Sequence, residues 1–264
     1  MGKRNKLRIV RAAYWILRNW LVLFLMFFGL FNLLPFLAPI MAKLGFDFLA
    51  DIIYLLYTPL CHQMAHRSFF LFGDQLMYRP EQLPLELTAG LTGNMLEMKQ
   101  FVGNETIGWK VAWSDRMVYM YGAVWIFAAI YAPMSRRYKI KHLSIRSFVL
   151  LMLPMAVDGV SHVLSDASIG GLIAGFRYTN EWLADLTINA FPAWFYAGDA
   201  LGSFNSWMRL ISGLGFGVAI VWMIFPMIST EMRHKGHILD AKLRHAEEVF
   251  LKKDDDVQSY IPSS

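Results

Sequence analysis

Asp158, His162 and Ser165 are spaced four and three residues apart, so on a helix all three share one face and the first two side chains can touch. A carboxylate beside an imidazole can hold or pass a proton, which is the geometry of general acid–base work. Nothing identifies an electrophile or a substrate, so the pair alone names no reaction. A second group is the run Cys61-His62-Gln63-Met64-Ala65-His66-Arg67. Were it helical, His62 and His66 would share a face next to Cys61, a candidate ligand set for a transition metal such as copper or zinc. Arg67 sets a fixed positive charge beside it, and the sequence offers no fourth ligand. The other reading is a small buried thiol with interfacial hydrogen-bonding histidines.

Charged residues at the ends of apolar runs form a third group. Asp115, Asp158 and Asp166 can face Arg67, Arg116 and Arg209. Three readings follow: an ion-pair network that fixes helices against one another in lipid, a site for a small polar ligand, metal or proton, or contact with lipid headgroups. No nucleophile elbow, Walker motif, paired-carboxylate site or heme-attachment motif occurs, so binding is favoured over catalysis. A single cysteine excludes an intramolecular disulfide and a four-cysteine zinc site.

These residues need a scaffold, and composition says which kind. Of 264 residues, 56% are hydrophobic and only 17% charged, with a mean hydropathy of +0.38, so the chain requires a solvent other than water. A hydrocarbon core of about 30 Å takes roughly 20 apolar residues at 1.5 Å each. Four runs suffice, at about 20–42, 117–134, 147–165 and 210–229, giving an all-α polytopic membrane protein. The first is too long for a signal-peptide core and reads as a signal anchor. Pro35 and Pro39 within it are expected to kink it or end its helix early. Asp158 then lies eight residues, or about 12 Å, inside the end of the third span. An aspartate at such depth costs on the order of 2.5–3.5 kcal/mol, so it is expected to face the bundle interior.

Position explains the net charge of +5. Seventeen of the 25 Lys and Arg fall in Lys3–Arg18, Arg136–Arg146 and Arg233–Lys253. This positive-inside pattern puts residues 1–19, the loop near Arg137 and the 230–264 tail in the cytoplasm of a multi-pass cell-membrane protein, with no need of nucleic acid as a partner. Residues 43–116 and 166–209 become outward-facing connections. Within the first, Phe46–Leu60 suits an interfacial or re-entrant helix, and Ser68–Gly73 is a second apolar stretch. Asp74–Trp113 reads as an external loop with one short helix, carrying an acceptor sequon at Asn104-Glu105-Thr106. Gly213, Gly215 and Gly217 are expected to allow close helix packing. In the tail, Leu239, Leu243, Ala246 and Phe250 make an amphipathic stripe, for the membrane, for its own neighbours, or for subunits of a membrane complex.

The segments PLCHQMAHRSFFLFG, GWKVAWSDRMVYMYG, PMAVDG and NSWMRLISGLGFG occur in that order between Pro59 and Gly217. On them the chain resembles the family of predicted bacterial and archaeal membrane proteins of unknown function numbered 2085. The resemblance points to Cys61, His62, Gln63, Arg67, Ser68, Arg116, Asp158, Gly159, Asn205, Arg209 and Gly213 as motif positions, and it implies no established activity. Ser114 stands where many relatives carry Cys, and Met117 where an acidic residue or a second Cys is usual, so Cys61 lacks a partner for a dithiol pair. The combined expectation is an outer-leaflet site formed by Cys61, His62, Gln63, Arg67, Asp115, Arg116, Asp158, His162, Asn205 and Arg209. The alternative is an accessory or assembly subunit in which these groups are structural.

Overall fold

A computed structural model describes residues 3–86, 91–168 and 171–259. Among them four helices are long and apolar enough to cross a membrane. In chain order the elements are α1 (Lys3–Lys43), α2 (Asp47–Tyr57), β1 (Ser68–Leu71), α3 (Leu91–Gln100), β2 (Gly103–Asn104), β3 (Gly108–Ser114), α4 (Asp115–Arg137) and α5 (Ile145–Asp166). Four short helices follow, α6 (Gly171–Ala174), α7 (Phe176–Thr179), α8 (Glu181–Leu186) and α9 (Ala193–Tyr196), and then α10 (Phe204–Ser259). α1, α4, α5 and α10 are the long apolar helices, and α10 packs along the other three.

α5 shows what solvent this surface requires. Its buried residues are Asp158, His162 and Ser165, whereas Leu150 and Val163 are 70% and 68% exposed. A polar face turned inward and an apolar face turned outward is stable only against lipid. α10 meets α4 through glycines. A Cβ on Gly213 would come within 2.9 Å of Tyr119 Cβ, and one on Gly217 within 2.6 Å of Ala123 Cβ, so their absence lets the backbones approach closely, as expected.

The prolines do not end α1, which excludes one of the two outcomes expected of them. Pro35 cannot donate to the Phe31 carbonyl four residues earlier, but the Tyr57 hydroxyl of α2 donates to that oxygen at 2.7 Å. Pro226 likewise leaves the Trp222 carbonyl free within α10, and the Leu143 amide takes it at 3.0 Å. In both places a neighbouring segment satisfies the group that proline orphans, so the helix continues.

The first connection holds more than a loop. α2 forms where an interfacial helix was expected, and α3 is the one short helix, but Ser68–Leu71 and Gly108–Ser114 are strands. With β2 they make an antiparallel sheet of order β1-β3-β2, pairing Phe70 with Lys110 and Gly103 with Trp109. Gly108 has φ +78°, and a Cβ there would fall 2.2 Å from the Leu71 carbonyl oxygen, so the β2–β3 turn requires glycine. Asn104 Oδ1 accepts from the amides of Thr106 and Ile107, which places the sequon in an exposed turn closed by its own asparagine. β3 runs into α4 without a loop. Span and tail are likewise one helix, α10, with no break at 230. Leu243 is buried and Leu239 and Ala246 are half-buried by the chain itself, while the Phe250 side chain and residues 260–264 lie outside the described residues.

Candidate functional site

At the sheet end of the bundle the polar residues of α4, α5, α10 and both connections meet. Asp158 forms ion pairs with Arg116 Nη2 at 2.7 Å and Arg177 Nη2 at 2.8 Å. Asp199 binds Arg67 Nε at 2.8 Å and Arg209 Nη1 at 2.7 Å. Arg209 also reaches Asp115 through Nε at 2.6 Å, and Arg67 closes a two-pronged pair on Asp166 at 2.7 and 2.8 Å. Four aspartates and four arginines therefore neutralise one another. Such pairs offset the cost of removing charge from water only where each partner is present.

His162 links the two halves. Its Nδ1 lies 3.0 Å from the Asp158 carbonyl oxygen and 3.3 Å from Arg116 Nη2, and its Nε2 lies 3.4 Å from Asp199 Oδ1. Ser165, the third member of the helical face, accepts from the Arg177 amide at 2.9 Å and so fixes the turn that carries Arg177. β3 entering α4 places Asp115 and Arg116 at the junction, where Asp115 Oδ1 accepts from the Arg116 amide at 2.7 Å.

Outside the spans, electrostatics sharpen the picture. Burial alone would raise the Asp199 carboxyl, but Arg67 and Arg209 hold it well below the usual carboxylate range. Burial, aided by the Arg67 charge, pushes His66 down to about 3. His66 is fully buried 3.6 Å from Asp199, and neither ring nitrogen has a hydrogen-bond partner among the described residues. It is a neutral imidazole packed against the network.

A cavity of about 380 Å³ opens beside this network. Cys61, His62, Gln63 and Ser114 line one side, and Arg67, Asp115, Arg116, Gly159, His162, Asp166 and Arg209 the other. Arg116 turns one nitrogen to Asp158 and lays Nη1 over Gly159, where a Cβ would come within 3.1 Å of it. Glycine at 159 thus leaves room for the guanidinium at the cavity wall.

The candidate metal set of Cys61, His62 and His66 does not assemble. Residues 61–64 are not helical, because α2 has ended before Pro59 and Gln63 adopts φ +52°. As a result His62 is exposed, His66 turns toward Asp199, and Cys61 lies against Ser114, with Sγ 3.4 Å from Oγ. Among the described residues no group of three His, Cys, Asp or Glu could hold a metal ion. Two further expectations change. Asp158 and Asn205 do not line the cavity; Asp158 stands behind Arg116, and Asn205 is fully buried, donating to the carbonyls of Arg177 at 2.6 Å and Gly198 at 3.0 Å. Asn205 positions the loop that bears Arg177 and Asp199.

Asp199, Arg177 and Lys110 are the residues that sequence reasoning missed. Arg177 and Asp199 sit in the second connection among turn residues, and no unmet charge signalled them, because the acids and arginines recognised in the sequence already balanced. Lys110 is buried in β3, where Nζ donates to the carbonyls of Gln63 at 2.8 Å and Lys99 at 2.6 Å. Burial lowers its pKa to about 7. It struts the sheet to the segment carrying Cys61.

No family model matches the chain, and no solved structure does. Over 65 residues the chain is 37% identical to an uncharacterized protein of Methanocaldococcus jannaschii. That stretch covers 23% of this chain and 42% of the other, so the chain spans about two fifths of the length of the curated relative it matches. The four apolar helices make this a multi-pass integral membrane protein.

Proposed function

We propose that the protein binds a small polar ligand bearing an anionic group in the cavity at the sheet end, which faces out of the cytoplasm. The observation that carries this reading is Arg116, whose Nη2 is held by Asp158 while its Nη1 lies at the cavity wall over Gly159. Three arginines and two aspartates line the space, and both aspartates already engage arginines. The orientation rests on the basic residues flanking the opposite helix ends. All four sequence motifs contribute residues to the cavity wall, which is what membership of the family numbered 2085 would require of them.

A thermal-unfolding screen of the purified protein in mild detergent tests the reading, with small carboxylates, inorganic phosphate and divalent cations as probes. An anion present at 100 times its Kd adds about 2.7 kcal/mol of stability. Arg116→Gln should abolish that gain and leave the unliganded protein folded. Stabilisation by divalent cations alone would contradict the proposal.

A second reading has its own observation. Every aspartate of the cluster is ion-paired, and Arg209 and Asp115 are almost fully buried. The network would then only fix helix positions, and the protein would act as an accessory subunit of a membrane complex. Collapse of the fold in both Arg116→Gln and Asp158→Asn, with no stabilising anion, would favour it.

A further inference from the structure

The opposite end of the bundle carries a different arrangement of charge. Between α1, α4 and α10 lies a groove of about 500 Å³ whose walls include Arg18, Arg136 and Arg233, one arginine from each helix. Arg136 follows Arg116 by 20 residues along α4, and Arg233 follows Arg209 by 24 along α10. At helical rise these separations are about 30 and 36 Å, one hydrocarbon core away from the paired cluster. The groove therefore opens at headgroup depth in the other leaflet. Just beneath it an aromatic layer closes the apolar core, with Trp20 edge-on to Phe225 at 5.5 Å and Tyr131 at 5.7 Å from Phe225.

The charges in this groove are not balanced. Arg18 and Arg136 have no hydrogen-bond or ion-pair partner among the described residues. Arg233 commits only Nε, to the Ser229 carbonyl at 3.2 Å, which leaves both terminal nitrogens available. The single acid in the lining, Asp240, is already held by Arg244 at 3.0 Å. Three guanidinium groups from three helices thus converge on one concavity without a counter-ion. Guanidinium presents paired donors that match the oxygens of a phosphate, and basic pockets between membrane helices suit anionic headgroups.

We propose that this groove binds the phosphate-bearing headgroup of an anionic phospholipid. The rest of the lining favours a lipid over a soluble phosphate. Leu17, Leu21 and Val22 carry the wall down α1 into its apolar span, and Ala132 does so on α4, giving acyl chains a continuous path below the headgroup. Phosphate oxygens bridge Arg18, Arg136 and Arg233, and the chains lie along α1. Binding there ties together three helices that the sheet and its ion pairs secure only at their far ends.

The test uses the full-length protein in a neutral detergent, titrated with phosphatidylglycerol, phosphatidylcholine or inorganic phosphate and read by native mass spectrometry. Phosphatidylglycerol should occupy one site and bind at least tenfold more tightly than phosphatidylcholine. At about a fivefold loss per arginine, the triple variant Arg18→Gln, Arg136→Gln, Arg233→Gln should lose affinity on the order of 100-fold. The triple Arg→Lys variant should keep most of it. All three arginines are exposed, so folding is preserved; each single Arg→Gln variant, read separately, should show its own fivefold loss. Equal affinity for the two lipids, or unchanged affinity in the Gln variants, would overturn the proposal. Inorganic phosphate binding as tightly as phosphatidylglycerol would overturn the lipid assignment in favour of a soluble phosphate.

Discussion

The two ends of this helix bundle handle arginine in opposite ways. At the sheet end Arg67, Arg116, Arg177 and Arg209 are largely buried, and each is paired with aspartate from another segment. At the other end Arg18, Arg136 and Arg233 are exposed, and no carboxylate among the described residues pairs with them. A buried charge must bring its counter-charge into the fold, because water cannot supply one. An exposed arginine leaves that role to solvent or a ligand. The first arrangement fixes helix positions and frames a cavity, whereas the second leaves a charged surface open to an anion.

That contrast breaks most visibly at Asp199, which holds Arg67 and Arg209 together. Asp199→Ala leaves buried guanidinium groups without part of their compensation and should destabilise the protein by about 3–5 kcal/mol, measured by unfolding in detergent. Protonation provides a gentler break at the same end. His66 has a folded pKa of about 3, below its unfolded value, so its contribution is complete above about pH 6.5 and is lost as pH falls toward 3. Between pH 7.5 and pH 5 this amounts to about 2 kcal/mol, and His66→Gln should flatten the dependence. Asp199, whose folded pKa is depressed, adds a separate loss below about pH 4.

Smaller effects sharpen the comparison. Tyr57→Phe removes the donor on the Phe31 carbonyl that Pro35 leaves free and should cost about 1 kcal/mol, again by unfolding. Arg136→Gln, at the exposed end, should change stability by no more than about 0.5 kcal/mol. A stability loss at Arg136 equal to that at Asp199 would erase the distinction between the two ends.

Much of this was legible in the sequence where one physical rule acted along the chain. Hydrophobic length located α1, α4, α5 and α10, and the four-three spacing placed Asp158, His162 and Ser165 on the inward face of α5. Rules that depend on partners from distant segments were not legible. An early end to the helix at Pro35 was one of two outcomes expected, because the rescuing hydroxyl, Tyr57, lies 22 residues later in another element. The 61–67 run suggested a metal set because its local pattern fits a helix, whereas the left-handed Gln63 turns His62 and His66 apart. β3 escaped notice because it is buried on both faces and carries Lys110, so it lacks the alternation that marks a half-exposed strand. Asp199 and Arg177 were hidden in a connection rich in turn residues. The three acids and three arginines recognised in the sequence already balanced, so no unmet charge pointed toward them.

A double-mutant cycle on Arg67 and Asp199 tests most directly whether distant segments meet in one buried network. Unfolding free energies of the native protein, Arg67→Gln, Asp199→Asn and the double variant give the coupling between side chains 132 positions apart in sequence. A coupling of about 2 kcal/mol or more is the expected result for a pair at 2.8 Å. Additivity of the two changes within about 0.5 kcal/mol would contradict it.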